Sequence, residues 1–422
     1  MDWIAKGDTI IFSPDFNDKL DIELVSNYSK LIFSNFELDN ALFDAYENDD
    51  LSNFNSVGST FNQEVNNLPQ SLTHITFCGY FDQKVNALPQ NLTHLTFGKN
   101  FDQKVNKLPQ SLTHLTFGDC FNQKVNLLPQ NLTHLTFGND FDKAVNNLPR
   151  NLTHLIFGSF FRREVNNLPQ SLTHLTFGND FNQAVNDLPQ NLTHLTFGVN
   201  FDQEVNDLPK TLTHLTFDRQ FNKSVNELPQ TLTHLTFGSR FDQEINNLPQ
   251  NLTHLTLGWS FNQKVENLPQ NITHLTFGNH FNQEINNLPR NLIHLMIGYD
   301  FNKKINLLPN VKYLKLDYFN QNSRDNYYLI DNLPNSVEEL ELGYYFNLEL
   351  NNLPTSVKKI IFYRKSIYDR ELNCLPNFVE FLQLPEKYDK KILQLPLSLK
   401  TIKCSKNYKY IDDFSNLNIE YY

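Results

Sequence analysis

The chain has 422 residues, of which 36 are Phe and 17 Tyr, and only 19% are charged, which excludes a disordered or coiled-coil chain. A net charge of −11 argues against a nucleic-acid ligand, because phosphate neutralisation dominates that affinity. The four cysteines (Cys78, Cys120, Cys374 and Cys404) lack metal-ligand spacing and read as reduced thiols of a cytosolic or nuclear protein, with no cofactor and no metal expected.

Residues 1–60 hold 12 acidic and 3 basic residues and read as an acidic N-terminal cap with degenerate coils. Thr9-Ile-Ile-Phe12 and Lys30-Leu-Ile-Phe33 are strand-like, and Leu42-Phe-Asp-Ala-Tyr-Glu47 suggests a short helical insertion. No long apolar stretch follows Met1, so no signal peptide is expected. No apolar run of about 18 residues exists to span a membrane.

From Phe61 to residue 300 a 20-residue unit recurs twelve times without a slip. Residues 121–140, FNQKVNLLPQNLTHLTFGND, serve as the type unit. Phe121, Val125, Leu128, Leu132, Leu135 and Phe137 mark apolar columns that one unit cannot bury alone, so the units must stack. Leu132–Phe137 reads as the main strand, with successive copies paired in parallel. Pro129 breaks any helix, and Gly138 permits a turn that a Cβ would crowd. The expected fold is mostly β: a right-handed, leucine-rich-repeat-like parallel β-solenoid of about 18–19 coils with little helix.

Two further columns stand out. Asn126 recurs in every regular unit except at Glu266, and is expected to form a hydrogen-bonded asparagine ladder up the stack. Asn or Asp directly after the opening Phe is expected to do similar turn work, with Arg162 the exception. Twelve of the 13 histidines share one position, from His74 to His294. Strand parity puts His134 and Thr136 on the face opposite Leu135 and Phe137, as a histidine ladder. Three readings of it compete: a neutral stack copied by duplication, a recognition stripe for a partner (with His134, His154 and His174 as candidates), and metal capture by adjacent imidazoles. Like charges one strand apart should resist protonation.

The least repetitive positions are the two turn residues that close each unit, predicted to form one edge of the sheet. Phe160, Arg219, Arg240, Trp259 and Tyr299 stand there. Arg162 and Arg163 break the unit's rules nearby, and all seven are candidate partner-binding residues, since exposed aromatics and arginines are common anchors.

Beyond Phe301, residues 301–422 read as degenerate coils and a C-terminal cap of the same solenoid. Leu-Pro pairs recur at Leu308-Pro309, Leu333-Pro334, Leu353-Pro354, Leu375-Pro376 and Leu395-Pro396. Gln321–Asn326 reads as a loop insertion. Strand echoes follow at Val337–Leu340, Val357–Ile360 and Leu399–Ile402, and Leu417–Tyr422 ends the chain as a truncated strand.

Units such as Phe121-Asn-Gln-Lys-Val-Asn-Leu-Leu-Pro-Gln-Asn-Leu-Thr-His-Leu-Thr-Phe-Gly138 resemble FNIP repeats, leucine-rich-repeat-like units abundant in social amoebae and in giant viruses that infect amoebae. The resemblance is strong over 61–309 and weaker at the ends. It implies a binding solenoid with no catalytic residues: a monomeric, non-enzymatic scaffold for a protein partner in the cytoplasm (the host cytoplasm if viral), with neither nucleic acid nor membrane as partner. Two alternatives stand beside it. One is a self-assembling structural component of a virion or fibre. The other is a ubiquitin-ligase substrate adaptor working without its own F-box, since residues 1–60 resemble coils and not an F-box.

Overall fold

The computed structural model describes residues 2–38, 42, 45, 58–303, 310–317, 330 and 333–422. The insertion expected at Gln321–Asn326 lies outside them, as does the helix at Leu42–Glu47 apart from Leu42 and Ala45. The chain is a parallel β-solenoid of about 19 turns with almost no helix. It divides into two compact units: residues 1–203 with 207–212, and residues 204–206 with 213–422.

The first unit opens with β1 (Trp3–Lys6) and β2 (Thr9–Phe12), an antiparallel hairpin turning at Gly7, where φ is +58°. β2 pairs in parallel with β3 (Lys30–Phe33), so both strand-like segments of the acidic region are true coils. β4 (His74–Thr76) follows as the first of seven three-residue strands at 20-residue intervals that run to β10 (His194–Thr196). The second unit continues the pattern from β11 (His214–Thr216) to β14 (His274–Thr276) and β15 (His294–Ile297). The degenerate coils supply β16 (Tyr313–Leu316), β17 (Glu339–Leu342), β18 (Lys359–Phe362), β19 (Phe381–Gln383), β20 (Thr401–Cys404) and β21 (Asn418–Tyr421), all parallel.

The strand is shorter than its sequence suggests. In the type unit it covers His134–Thr136, β7, not Leu132–Phe137. The N–H of Leu132 turns back to the carbonyl of Pro129, 3.3 Å away, which closes a turn just before the strand. The same offset moves the later echoes: Val337 and Leu399 are turn residues, and the strands begin two residues on.

All six expected apolar columns are core. Phe121, Val125, Leu128, Leu132, Leu135 and Phe137 are at most 3% exposed. The tight turn at Gly138–Asp140 places the ring of Phe137 3.8 Å from that of Phe141, and each stacks on its counterpart at 5.7–6.1 Å in the next coil. Each such burial contributes on the order of 1.5–3 kcal/mol, and within each unit the stacked rings run from coil to coil. Gly138 is required by close approach: a Cβ there would lie 2.0 Å from the carbonyl oxygen of Gly118 in the preceding coil. Its φ is not positive.

The asparagine ladder lies one column away from its expected place. Asn126 and its counterparts are exposed, and Asn66, Asn166, Asn246 and Asn286 bond the Glu two residues earlier. The amide that climbs the stack follows the opening Phe. The N–H of Asp142 donates to Oδ1 of Asn122 at 3.0 Å, and the N–H of Asn122 to Oδ1 of Asp102 at 2.8 Å. A second rail is formed by Asn131, whose Nδ2 donates to the carbonyl of Gln110 at 2.8 Å.

In the degenerate coils the threonine column becomes charged. The backbone N–H groups of Glu338, Lys358, Glu380 and Lys400 each bond the carbonyl of the residue before in the series Lys312, Glu338, Lys358, Glu380. Side chains of alternating sign therefore face one another, with Lys358 at 2.9 Å from Glu338 and Lys400 at 2.6 Å from Glu380. The opening-Phe column becomes Phe346, Tyr368, Tyr388 and Tyr408, with rings 6.2 Å apart. Tyr388 and Tyr408 donate to the carbonyls of Arg370 and Lys390, whereas the buried hydroxyl of Tyr368 has no hydrogen-bond partner among the described residues. At the end of the chain the hydroxyl of Tyr422 donates to the carbonyl of Leu384, and Arg364 and Lys403 lie over its ring.

Candidate functional site

Strand parity puts the histidines where expected, half-buried on the face opposite the core. Their rings form near-parallel stacks. His134 lies 4.2 Å from both His114 and His154, against 5.7–6.1 Å in the phenylalanine columns. Side chains of neighbouring coils thus converge on the histidine side, so within each unit that side is the inner one of the bend.

Each ring is held by the threonine before it. Oγ1 of Thr133 is 2.9 Å from Nδ1 of His134 and 3.1 Å from the carbonyl oxygen of Thr113. That oxygen already accepts the N–H groups of Thr133, at 2.8 Å, and of His134, at 3.0 Å. The hydroxyl donates its one proton to that carbonyl, so it accepts from Nδ1–H of His134 and leaves Nε2 bare. Burial, aided by the charge of neighbouring imidazoles, lowers His94 and His274 to about 4. The same causes lower His114, His134, His154 and His254, while His74 is lowered by burial and by Lys30. Stacked rings anchored alike at Nδ1 carry their Nε2 atoms side by side, with in-plane lone pairs that do not converge on one ion. Among the described residues no group of three His, Cys, Asp or Glu is placed to hold a metal.

The variable turn pairs form a column of their own, at the C-terminal ends of the strands. Within each unit the N–H of the second turn residue donates to the carbonyl of the first turn residue one coil earlier, as from Asp140 to Asp119 at 2.7 Å and from Arg240 to Arg219 at 2.9 Å. Variable side chains are thus mounted on a regular backbone rail. In the first unit Phe160 is exposed in this column. Arg162 and Arg163 are not free anchors: both guanidinium groups close on Asp142, at 3.1 and 2.9 Å. Burial alone would raise the Asp142 carboxyl, but the backbone and side-chain bonds of Arg162 and the charge of Arg163 outweigh it and hold it low. Both side chains stay more than half exposed, at 61% and 54%. They replace the ladder amide by a clamp on the coil before.

In the second unit Arg219 and Arg240 are exposed on adjacent turns. Nε1 of Trp259 donates to Nε2 of His280 at 2.8 Å, and Nδ1 of His280 donates to Asp300 at 2.6 Å. This bridge spans three turns and fixes the indole, which stays 54% exposed. Tyr299 meets Tyr345 edge-on at 5.3 Å, and Tyr345 meets Tyr344 at 4.5 Å. Asn279, Tyr299, Lys315, Asp317, Tyr344, Tyr345 and Tyr363 line a recess of about 460 Å³. A trough of about 320 Å³ beside it runs along Gly258, Gly278 and Gly298 and also reaches Trp259 and Asp317. The sequence reading found Trp259 and Tyr299 but missed Asp317, Tyr344, Tyr345 and Tyr363. Aligning the later coils on Leu316, Leu342 and Phe362, the residues that end the strand, would have placed Tyr344 and Tyr345 at the turn pair and Asp317 and Tyr363 in the glycine column beside it.

Stacked parallel strands, one per coil, with a buried leucine column define a leucine-rich-repeat-like solenoid. The model of the family described as FNIP Repeat matches in windows running from 61–100 through 261–300, and again at 326–365. The chain belongs to the FNIP repeat family. It is similar to CroV588, a giant-virus protein described as a novel circular LRR protein structure, with 36% identity over 100% of this chain and 70% of that one and a TM-score of 0.75. YopM from Yersinia enterocolitica WA-314 shows 19% identity over 82% of this chain and 90% of its own, with a TM-score of 0.45. The functional domain of InlJ from Listeria monocytogenes shows 14% identity over 72% and 71%, with a TM-score of 0.44. No curated protein matches the chain. Among the described residues no helix is long and apolar enough to cross a membrane.

Proposed function

We propose that the chain is a non-catalytic scaffold that binds a protein partner in the cytoplasm through its turn column. LRR-like repeat proteins generally bind protein partners. The observation that carries the reading is the contrast between columns. Core and strand positions are nearly identical from coil to coil, whereas the turn pairs differ and present Phe160, Arg219, Arg240 and Trp259 on a hydrogen-bonded rail. Specific recognition needs such differences, and exposed Trp and Arg on a rigid support supply them at low ordering cost. Titratable groups on the strand face repeat uniformly, which suits a copied structural stack better than a single reacting centre.

The test is capture from amoebal lysate by the wild-type chain and by Arg219→Ser/Arg240→Ser/Trp259→Ser. Loss of a captured protein by the triple variant, at unchanged melting temperature, is the expected result. Equal capture by both refutes the turn column as the binding surface. A concentration-dependent rise in mass of the purified chain would instead favour a self-assembling component.

A further inference from the structure

In the second unit the carboxylate of Asp317 forms no ion pair with a described residue. Asp317 directly follows β16 in the column that glycine fills in the regular coils, and it is half-buried. Among the described residues its side chain has no hydrogen bond and no ion pair. Room for it is made by Gly343 in the next coil, where a Cβ would lie 2.0 Å from Oδ1 of Asp317. Burial raises the Asp317 carboxyl above its usual range, and the charge of Lys315 only partly offsets this. Lys315 is itself committed elsewhere: its Nζ lies 2.6 Å from Glu341, which also accepts the hydroxyl of Tyr313. The pair Lys315–Glu341 is neutral as a whole, so Asp317 is the net charge of the recess.

Around it the walls are aromatic. Tyr344 and Tyr345 stand at 76° to one another, and Tyr344 and Tyr363 at 62°. Ring faces turned in different directions beside an uncompensated carboxylate suit a flat cation, which stacks on one ring while bonding the acid. The recess, about 460 Å³, is open and continuous through Asn279 and Asp317 with the trough beneath Trp259, which leaves a path for flanking chain.

We propose that this recess receives an arginine side chain of the protein partner, its guanidinium on Asp317 and its plane against the tyrosine walls. This rests on the scaffold reading and narrows it: the partner presents an arginine on an extended segment that continues along the trough. Preference for arginine over lysine follows from the fork of donors and from stacking, neither of which an ammonium provides.

The test uses the full-length chain with Trp3→Phe, so that Trp259 is the single tryptophan and reports on the trough. It is titrated at low salt with acetyl-Ser-Gly-Arg-Gly-Ser-amide and with the peptides carrying lysine, citrulline or glutamate in place of the arginine. The expected result is a saturable fluorescence change with the arginine peptide and binding at least ten-fold weaker for the other three. Asp317→Asn and Tyr344→Ala/Tyr363→Ala should each weaken the arginine peptide ten-fold or more, with Asp317→Asn keeping the wild-type melting temperature. Equal binding of arginine and citrulline, equal binding by Asp317→Asn, or no saturable change overturns the proposal. Lysine binding as well as arginine overturns the choice of guanidinium. In lysate capture, a partner lost by the turn-column variant but kept in full by Asp317→Asn also overturns it, while the scaffold reading stands. Absence of any such partner sinks the scaffold reading, whatever the peptide does.

Discussion

Thr133 Oγ1 sits 2.9 Å from Nδ1 of His134 and donates to the carbonyl of Thr113 at 3.1 Å. With its one proton spent there, the hydroxyl accepts from the ring and fixes the imidazole tautomer as Nδ1–H. Long-range proton–nitrogen correlation spectra at pH 7.5 should show protonated Nδ1 and bare Nε2 for the stacked histidines. A majority with bare Nδ1 would mean that the hydroxyl turns from the carbonyl to the ring.

The same stack makes stability pH-dependent. In the folded chain His94 and His274 titrate at about 4, below their unfolded value of about 6.5, so the unfolded state binds more protons between these limits. Stability is full above the unfolded value and falls as pH drops from about 6.5 toward about 4. Near pH 5 these two residues alone should give an uptake of about two protons per chain on unfolding, measurable from the pH dependence of urea unfolding. A flat midpoint between pH 7.5 and pH 5 contradicts this.

The displaced ladder gives a paired comparison. Asn122→Ala removes an acceptor from the N–H of Asp142 and should destabilise by about 1–2 kcal/mol. Asn126→Ala, at an exposed position, should stay within about 0.5 kcal/mol of wild type. Thermal unfolding of both variants decides it, and the reverse order would restore the ladder to Asn126.

Tyr368 carries a buried hydroxyl with no partner among the described residues, in a column that holds Phe in every regular coil. Tyr368→Phe should leave stability unchanged or raise it by about 1 kcal/mol, because an unmatched polar group is removed and the ring stack kept. A drop in melting temperature would reveal a partner for the hydroxyl.

Much of this fold was legible because period and parity are properties of the chain itself. Phe121 and Leu135 announce a core column wherever they recur, and Thr9–Phe12 could be placed as a coil by the same signature. The Asn126 column misled because recurrence does not say which way an amide points. The turn at Asn126–Leu127 turns it to solvent, whereas the residue after Phe121 faces along the stack. Arg162 and Arg163 looked like surface anomalies because their partner, Asp142, is 20 residues away and ordinary in its own unit. The Trp259–His280–Asp300 bridge was hidden for a related reason. Each of its members looks like random variation until the turn positions are compared across coils.

The alternating column from Lys312 to Lys400 sets a rule for how the gene can change length. Excising residues 121–140 brings Thr113 beside Thr153 and His114 beside His154, the same neighbours as before. Copy number there is free to drift by single units under unequal recombination. Excising the coil of Glu338 would set Lys312 against Lys358, and excising that of Lys358 would set Glu338 against Glu380. Loss of a single charged coil therefore turns an attraction into a repulsion, whereas loss of two in succession keeps the alternation, so the uniform middle is the part that changes length at least cost.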